Sequence, residues 1–133
     1  MAESIKYLSS AWRDEAEKRL KADLNPEKMN RLTSSMSNIY KGCPDGKDRY
    51  LFIKFADGAL AEFAVGEGDA PAAEFQITGD YATFAKISRA ELGAQRALMS
   101  GKLKLKGNMV KALKLASVAD RVNKIFATIP AEY

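Results

Sequence analysis

At 133 residues, with 47% hydrophobic and 29% charged side chains, the chain has the composition of an ordinary soluble globular protein and the length to bury one continuous core. It contains no histidine, which excludes histidine-based acid/base chemistry, Ser-His and Cys-His nucleophile pairs and most zinc sites. Cys43 stands alone, so no internal disulfide can form, and a formal charge of +4 permits attraction to anionic lipid or nucleic acid without requiring either. No stretch approaches the roughly 18 apolar residues that a membrane span needs. The start, Met1 to Lys6, lacks the basic and apolar regions of a signal peptide, and the end, Ile129 to Tyr133, is neither a prenylation box nor a peroxisomal tripeptide. With a lone thiol that fits a reducing compartment, a cytoplasmic protein is expected.

Ile5, Leu8, Trp12, Ala16 and Leu20 recur at helical spacing among charged residues, so an amphipathic helix is expected over about the first twenty residues, with Trp12 as a packing anchor. Asn25-Pro26 reads as the cap and first position of a second, short helix carrying Met29 and Leu32. Cys43-Pro44-Asp45-Gly46 reads as a type I turn, which makes a strand the economical reading of 35–41 and leaves Cys43 a semi-exposed thiol. Arg49 to Phe55 is a strand dense in aromatic and β-branched residues. Asp57-Gly58 turns it into a return strand, Leu60 to Val65. Leu51, Ile53 and Phe55 share one face, as do Ala61, Phe63 and Val65. Phe52 on the other face implies that this side is covered as well.

Gly66 to Pro71 is an acidic loop without the Gly-Lys-Ser/Thr of a phosphate loop. Ala73 to Thr78 alternates as a strand with Phe75 and Ile77 inward, and Asp80 caps the helix bearing Tyr81, Phe84, Ala85 and Ile87. A second short helix runs from Glu91 to Met99 and ends at Gly101. Gly101-Lys102-Leu103-Lys104-Leu105-Lys106-Gly107-Asn108-Met109 is a strictly alternating strand, leucines to one side and lysines to the other. It feeds a long helix, apolar over a wide arc, that Pro130 ends. The order is α+β with a mainly antiparallel sheet, in one domain spanning 1-133: N-terminal helices in 1-33 and a core in 34-133.

Little here carries chemistry. Carboxylate pairs such as Glu15/Glu17 and Glu67/Asp69 lie on charged faces or loops, and Asp120-Arg121 are plain charge neighbours. Lys102, Lys104, Lys106, Lys111 and Lys114 form a basic cluster, but it lacks the stacking aromatics or recognition helix of a nucleic-acid site. It reads as a face that blunts an edge strand or makes transient contact with an anionic membrane surface.

Residues Ala73 to Tyr81, then Ala97 to Met109 with the run Gly-Lys-Leu-Lys-Leu-Lys-Gly-Asn-Met, resemble the sterol carrier protein family of non-specific lipid-transfer domains. The resemblance is strongest from Ala73 to Ala116, and the leading helix with Trp12 is similar to that of a prokaryotic, stand-alone branch. It implies a five-stranded sheet covered on one face by helices and enclosing an apolar tunnel. It also implies no catalytic residues, and neither a metal nor a cofactor is expected. Carried onto this chain, it implies a tunnel lined by Leu51, Ile53, Phe55, Phe63, Phe75, Ile77, Phe84, Leu98, Met99, Leu103, Leu105, Met109, Leu113 and Leu115. The segment Ser88-Arg89-Ala90-Glu91 departs from the family in lacking the glycine often found between the short helices.

The expected function is a non-enzymatic carrier that binds a lipid (fatty acid, acyl-CoA or a sterol-like ligand) as a monomer or weak homodimer. Ala112, Ala116 and Ala119 leave room beside Leu103 and Leu105, and pliable Met36, Met99 and Met109 suit a promiscuous lining. The same pattern also fits a filled core. The alternative is therefore a non-catalytic interaction module that kept the fold.

Overall fold

The computed structural model describes all residues except 1–4, Lys28, Asn30, Asp45 and Tyr133; the side chain of Ser117 is also outside the description. The signal-peptide reading of Met1–Ser4, the Asp45 position of the predicted turn and the final residue therefore fall outside the described residues.

A five-stranded sheet forms the base of an α+β fold, with strands β2 (Ser34–Lys41), β3 (Arg49–Ala56), β4 (Ala59–Glu67), β5 (Phe75–Asp80) and β6 (Lys104–Lys106) in the order β4-β3-β2-β5-β6. Three neighbouring pairs are antiparallel and β2–β5 is parallel, as expected for a mainly antiparallel sheet. Helices α1 (Ser10–Asp23), α2 (Tyr81–Ser88), α3 (Ala94–Met99) and α4 (Met109–Phe126) accompany the sheet, with α1 packed on β4 and α4, and α2 on β2, β5 and α4. Side-chain caps place three of the starts. Ser9 Oγ accepts from the Trp12 amide, Asp80 Oδ1 from Thr83 and Asn108 Oδ1 from Lys111. The alternation of the Lys102–Lys106 run holds: Leu103 is buried and Leu105 half-buried, while Lys102, Lys104 and Lys106 are exposed.

The second face of the sheet is covered in part, with Lys54, Lys104 and Lys106 on it left exposed. Phe52 is buried there, and neighbouring Ser37 donates its hydroxyl to the Pro71 carbonyl at 2.6 Å, which draws the acidic loop across this side.

Four expectations are corrected. The first helix begins at Ser10 rather than near Ile5. Ile5–Lys6 is instead a short strand, β1, paired in parallel with β7 (Ala131–Glu132), and buried Leu8 adopts a left-handed conformation (φ 66°) before the cap. Ile5 and Leu8 point into the core from strand and turn, so helical spacing could not separate the two readings. The predicted second helix is absent among the described residues. Arg31 is left-handed (φ 49°) and its amide bonds to the Pro26 carbonyl, giving isolated turns that bury Met29. The register of β3–β4 shifts between Lys54 and Phe55, placing Leu60 opposite Phe55. Leu60 packs on the core and Ala61 is exposed, the reverse of the alternating expectation, because a bulge resets the facing of every residue beyond it. Cys43 is buried rather than semi-exposed.

Gly58 shows how tightly the 25–32 segment is seated. It is left-handed (φ +81°), its amide bonds to the Leu32 carbonyl at 2.7 Å, and an added Cβ would lie 2.6 Å from Pro26 Cα. Gly58→Ala should therefore destabilise the fold by about 2–4 kcal/mol in denaturant titrations, from backbone strain plus a clash with main-chain atoms that cannot rotate away.

Candidate functional site

The inner face of the sheet and the side of α4 turned towards it do not close on each other. A cavity of ≈ 90 Å³ lies between them. Its floor is made by Met36, Asn38 and Tyr40 of β2, Leu51, Ile53 and Phe55 of β3, and Phe75 and Ile77 of β5. These belong together because register aligns Asn38 with Leu51 and with Ile77, and strand alternation sends every second residue inward. The roof is α4, whose Ala112, Leu115, Ala116, Ala119 and Val122 follow one helical stripe. Phe84, Ile87 and Ser88 of α2, Leu98 of α3, and Leu103 close the sides. No charged side chain lies in this wall among the described residues.

Of the residues anticipated for a lining, the structure brings together Leu51, Ile53, Phe55, Phe75, Ile77, Phe84, Leu98, Leu103 and Leu115. It places five elsewhere. Phe63 is buried on the α1 side of the core, its ring 6.3 Å from Trp12 and 6.0 Å from Phe126. The Arg13 guanidinium covers it at 5.8 Å and donates to its carbonyl oxygen. Leu105 and Leu113 pack half-buried on the edge of the core. Met109 and Met99 face outward, 43% and 71% exposed, because each stands at a helix end whose inward positions are held by Ala112 and Leu98. Met99 borders a shallow outer groove with Arg96 and Asp120.

Several residues of this region escaped sequence reasoning. Tyr7 threads its hydroxyl between two residues of the cavity wall, 2.8 Å from Tyr40 Oη and 2.5 Å from Ser88 Oγ, all three buried. No local pattern couples positions so far apart in the chain. Asp120 accepts from the Ala94 amide at 3.1 Å and so caps α3 from α4, at a start where Gly93 has no side chain to offer. Asn38 had a visible signal: it is the polar member of an inward set, Met36, Asn38 and Tyr40. Beside the cavity, Lys111 donates to the Glu74 carboxylate and tethers the first turn of α4 to the start of β5. That hydrogen bond, and then one from the Ser34 hydroxyl, hold the Glu74 carboxyl below the usual carboxylate range.

The sheet and the helix thus border an uncharged, largely apolar cavity. The model of the SCP-2 sterol transfer family matches residues 14–120, and the chain belongs to that family. Over 81 residues, 59% of this chain, it is 35% identical to the oleate-induced peroxisomal protein POX18 of Candida maltosa, of whose length it spans 61%. Its fold is that of a sterol carrier protein 2 crystal structure, at a TM-score of 0.79 and 22% identity over 93% of this chain and 99% of the other. The solution structure of a conserved hypothetical protein from Thermus thermophilus is equally similar, at 0.78 and 21% over 98% and 94%. No helix of the described residues is long and apolar enough to cross a membrane.

The buried hydroxyl chain gives a first test of this region. Tyr7→Phe removes the hydroxyl that Tyr40 and Ser88 share while preserving the ring, so unfolding free energy should fall by about 2 kcal/mol. Trp12, whose ring meets Tyr7 edge-on at 4.9 Å, reports the change by fluorescence.

Proposed function

We propose that this single-domain protein is a non-enzymatic lipid carrier that holds one long-chain ligand (fatty acid, acyl-CoA or a sterol-like molecule) between α4 and the sheet. The observation that carries the reading is the uncharged cavity under an alanine-lined helix, in a member of a sterol transfer family. Leaving apolar surface unfilled costs about 20 cal/mol per Å² of cavity surface, whereas an acyl chain in contact with it gains about 0.8 kcal/mol per buried methylene. The cavity supports this reading over the filled-core interaction module.

At ≈ 90 Å³ the space is smaller than the roughly 150 Å³ apolar cavity that accepts benzene, so loading a long chain requires the roof to lift. Helix α4 is the wall that moves, and the Lys111–Glu74 tether holds its first turn down. The exposed lysines at 102, 104 and 106 meet an anionic membrane surface during exchange. The protein works in the cytoplasm as a monomer or weak homodimer.

Lipid extracted from denatured protein and identified by mass spectrometry, with displacement of a fluorescent fatty acid at micromolar concentration, tests the carrier reading; neither a co-purifying lipid nor displacement would end it. Ala116→Leu should fill the cavity, weakening fatty-acid binding by about tenfold or more while leaving the melting temperature equal or higher. A depressed carboxyl pKa in the folded state means that the Glu74 contribution is present above its unfolded value of 4.5 and is lost as pH falls through the folded value. Fatty-acid release, followed by stopped flow, should therefore speed up below about pH 4.5. In Glu74→Gln it should be fast at neutral pH, with less than about 1 kcal/mol change in stability because the pair is part-exposed.

A further inference from the structure

Asn38 is out of keeping with its surroundings in the cavity wall. It sits within the central strand β2, with Leu51 opposite on β3 and Ile77 opposite on β5, and all three line the cavity. Its Oδ1 is buried and meets no hydrogen-bond donor. The other polar side chains of the wall are satisfied within the protein. Ser34 donates to Glu74, and Ser35 accepts from the Glu74 amide. Tyr40 and Ser88 share the Tyr7 hydroxyl, and Asn123 donates to the Ala119 carbonyl. A desolvated acceptor without a donor is destabilising, and an aliphatic residue here would complete the apolar layer between Leu51 and Ile77. A local rule broken at a cavity, without compensation inside the protein, is the signature of a ligand contact.

We propose that Asn38 sets the ligand chemistry of this cavity: its side-chain amide hydrogen-bonds the hydroxyl of an uncharged, long-chain lipid alcohol that enters oxygen-end first. The proposal rests on the carrier reading and narrows it. Two properties of the wall favour a hydroxyl. A carboxylate or phosphate taken inside would lose its hydration with no cation to meet it, so ligands bearing such groups leave them at the water's edge. A hydroxyl can donate, and so supplies the hydrogen bond that Asn38 Oδ1 lacks.

The test is competition against a bound fluorescent fatty acid by hexadecanol, by its methyl ether and by hexadecanoate, on the full chain and on Asn38→Leu. The ether keeps the chain and the oxygen but cannot donate. In the natural protein the alcohol should compete about tenfold more tightly than the ether. In Asn38→Leu the two should compete alike, and the melting temperature should not fall. Equal competition by alcohol and ether in the natural protein would overturn the proposal, since a water would then be the partner of Asn38. This arm needs no variant to fold. A preference that survives in Asn38→Leu overturns it as well. In both cases lipid still binds and the carrier reading stands. If the probe and all three competitors fail to bind, the carrier reading falls and takes this proposal with it.

Discussion

Close packing is the rule in protein interiors, and the stretch of α4 above the sheet breaks it. The sheet offers Leu51, Ile53, Phe55 and Ile77 from below. Above them the helix presents Ala112, Ala116 and Ala119, too small to meet that floor. Both ends of the helix are held. At its start Asn108 caps the first turn and Lys111 is tied to Glu74. At its end Phe126 packs 5.0 Å from Trp12, and the Arg19 guanidinium donates to the Thr128 carbonyl at 2.6 Å just beyond the last turn. The β1–β7 pair then joins the two ends of the described chain, with the Ile5 amide bonded to the Pro130 carbonyl. A beam fixed at both ends and undersized in the middle leaves a void by construction.

Polarity is arranged around the same void. Lysines 102, 104, 106, 111 and 114 are exposed, and the cavity wall holds no charge among the described residues. What polarity the wall has is almost entirely neutralised from behind, most clearly by Tyr7, which binds Tyr40 and Ser88 together. The same tyrosine packs against Trp12 and Tyr81, so the N-terminal segment buttresses both the hydroxyl chain and the aromatic core. Fold integrity and cavity chemistry therefore share residues at Tyr7 and separate at Asn38, whose amide oxygen meets no donor within the fold.

Much of this was legible in the chain. Alternation at Leu103 and Leu105, the cap Asp80, the Asp57-Gly58 turn and the alanine stripe of α4 are local signals, and each produced the element it implied. The failures have identifiable causes. Ile5 and Leu8 mimic a helical stripe because both are apolar in a segment that is strand and turn. Leu60 and Ala61 exchange faces because a bulge changes parity without a sequence marker. Met99 and Met109 look like lining until the rotation of their helices about their axes is known.

The sequence by itself determined most of the elements from Ser34 to Phe126, the family and the segregation of lysine from leucine, since these follow from near-neighbour spacing and from chain segments read whole. The tertiary structure alone decided which apolar side chains meet across the gap, that the gap is left unfilled, and that Asn38 rather than a hydrophobe faces it. Those facts depend on strand register, helix rotation and partners far apart in sequence, and no local periodicity encodes such distances.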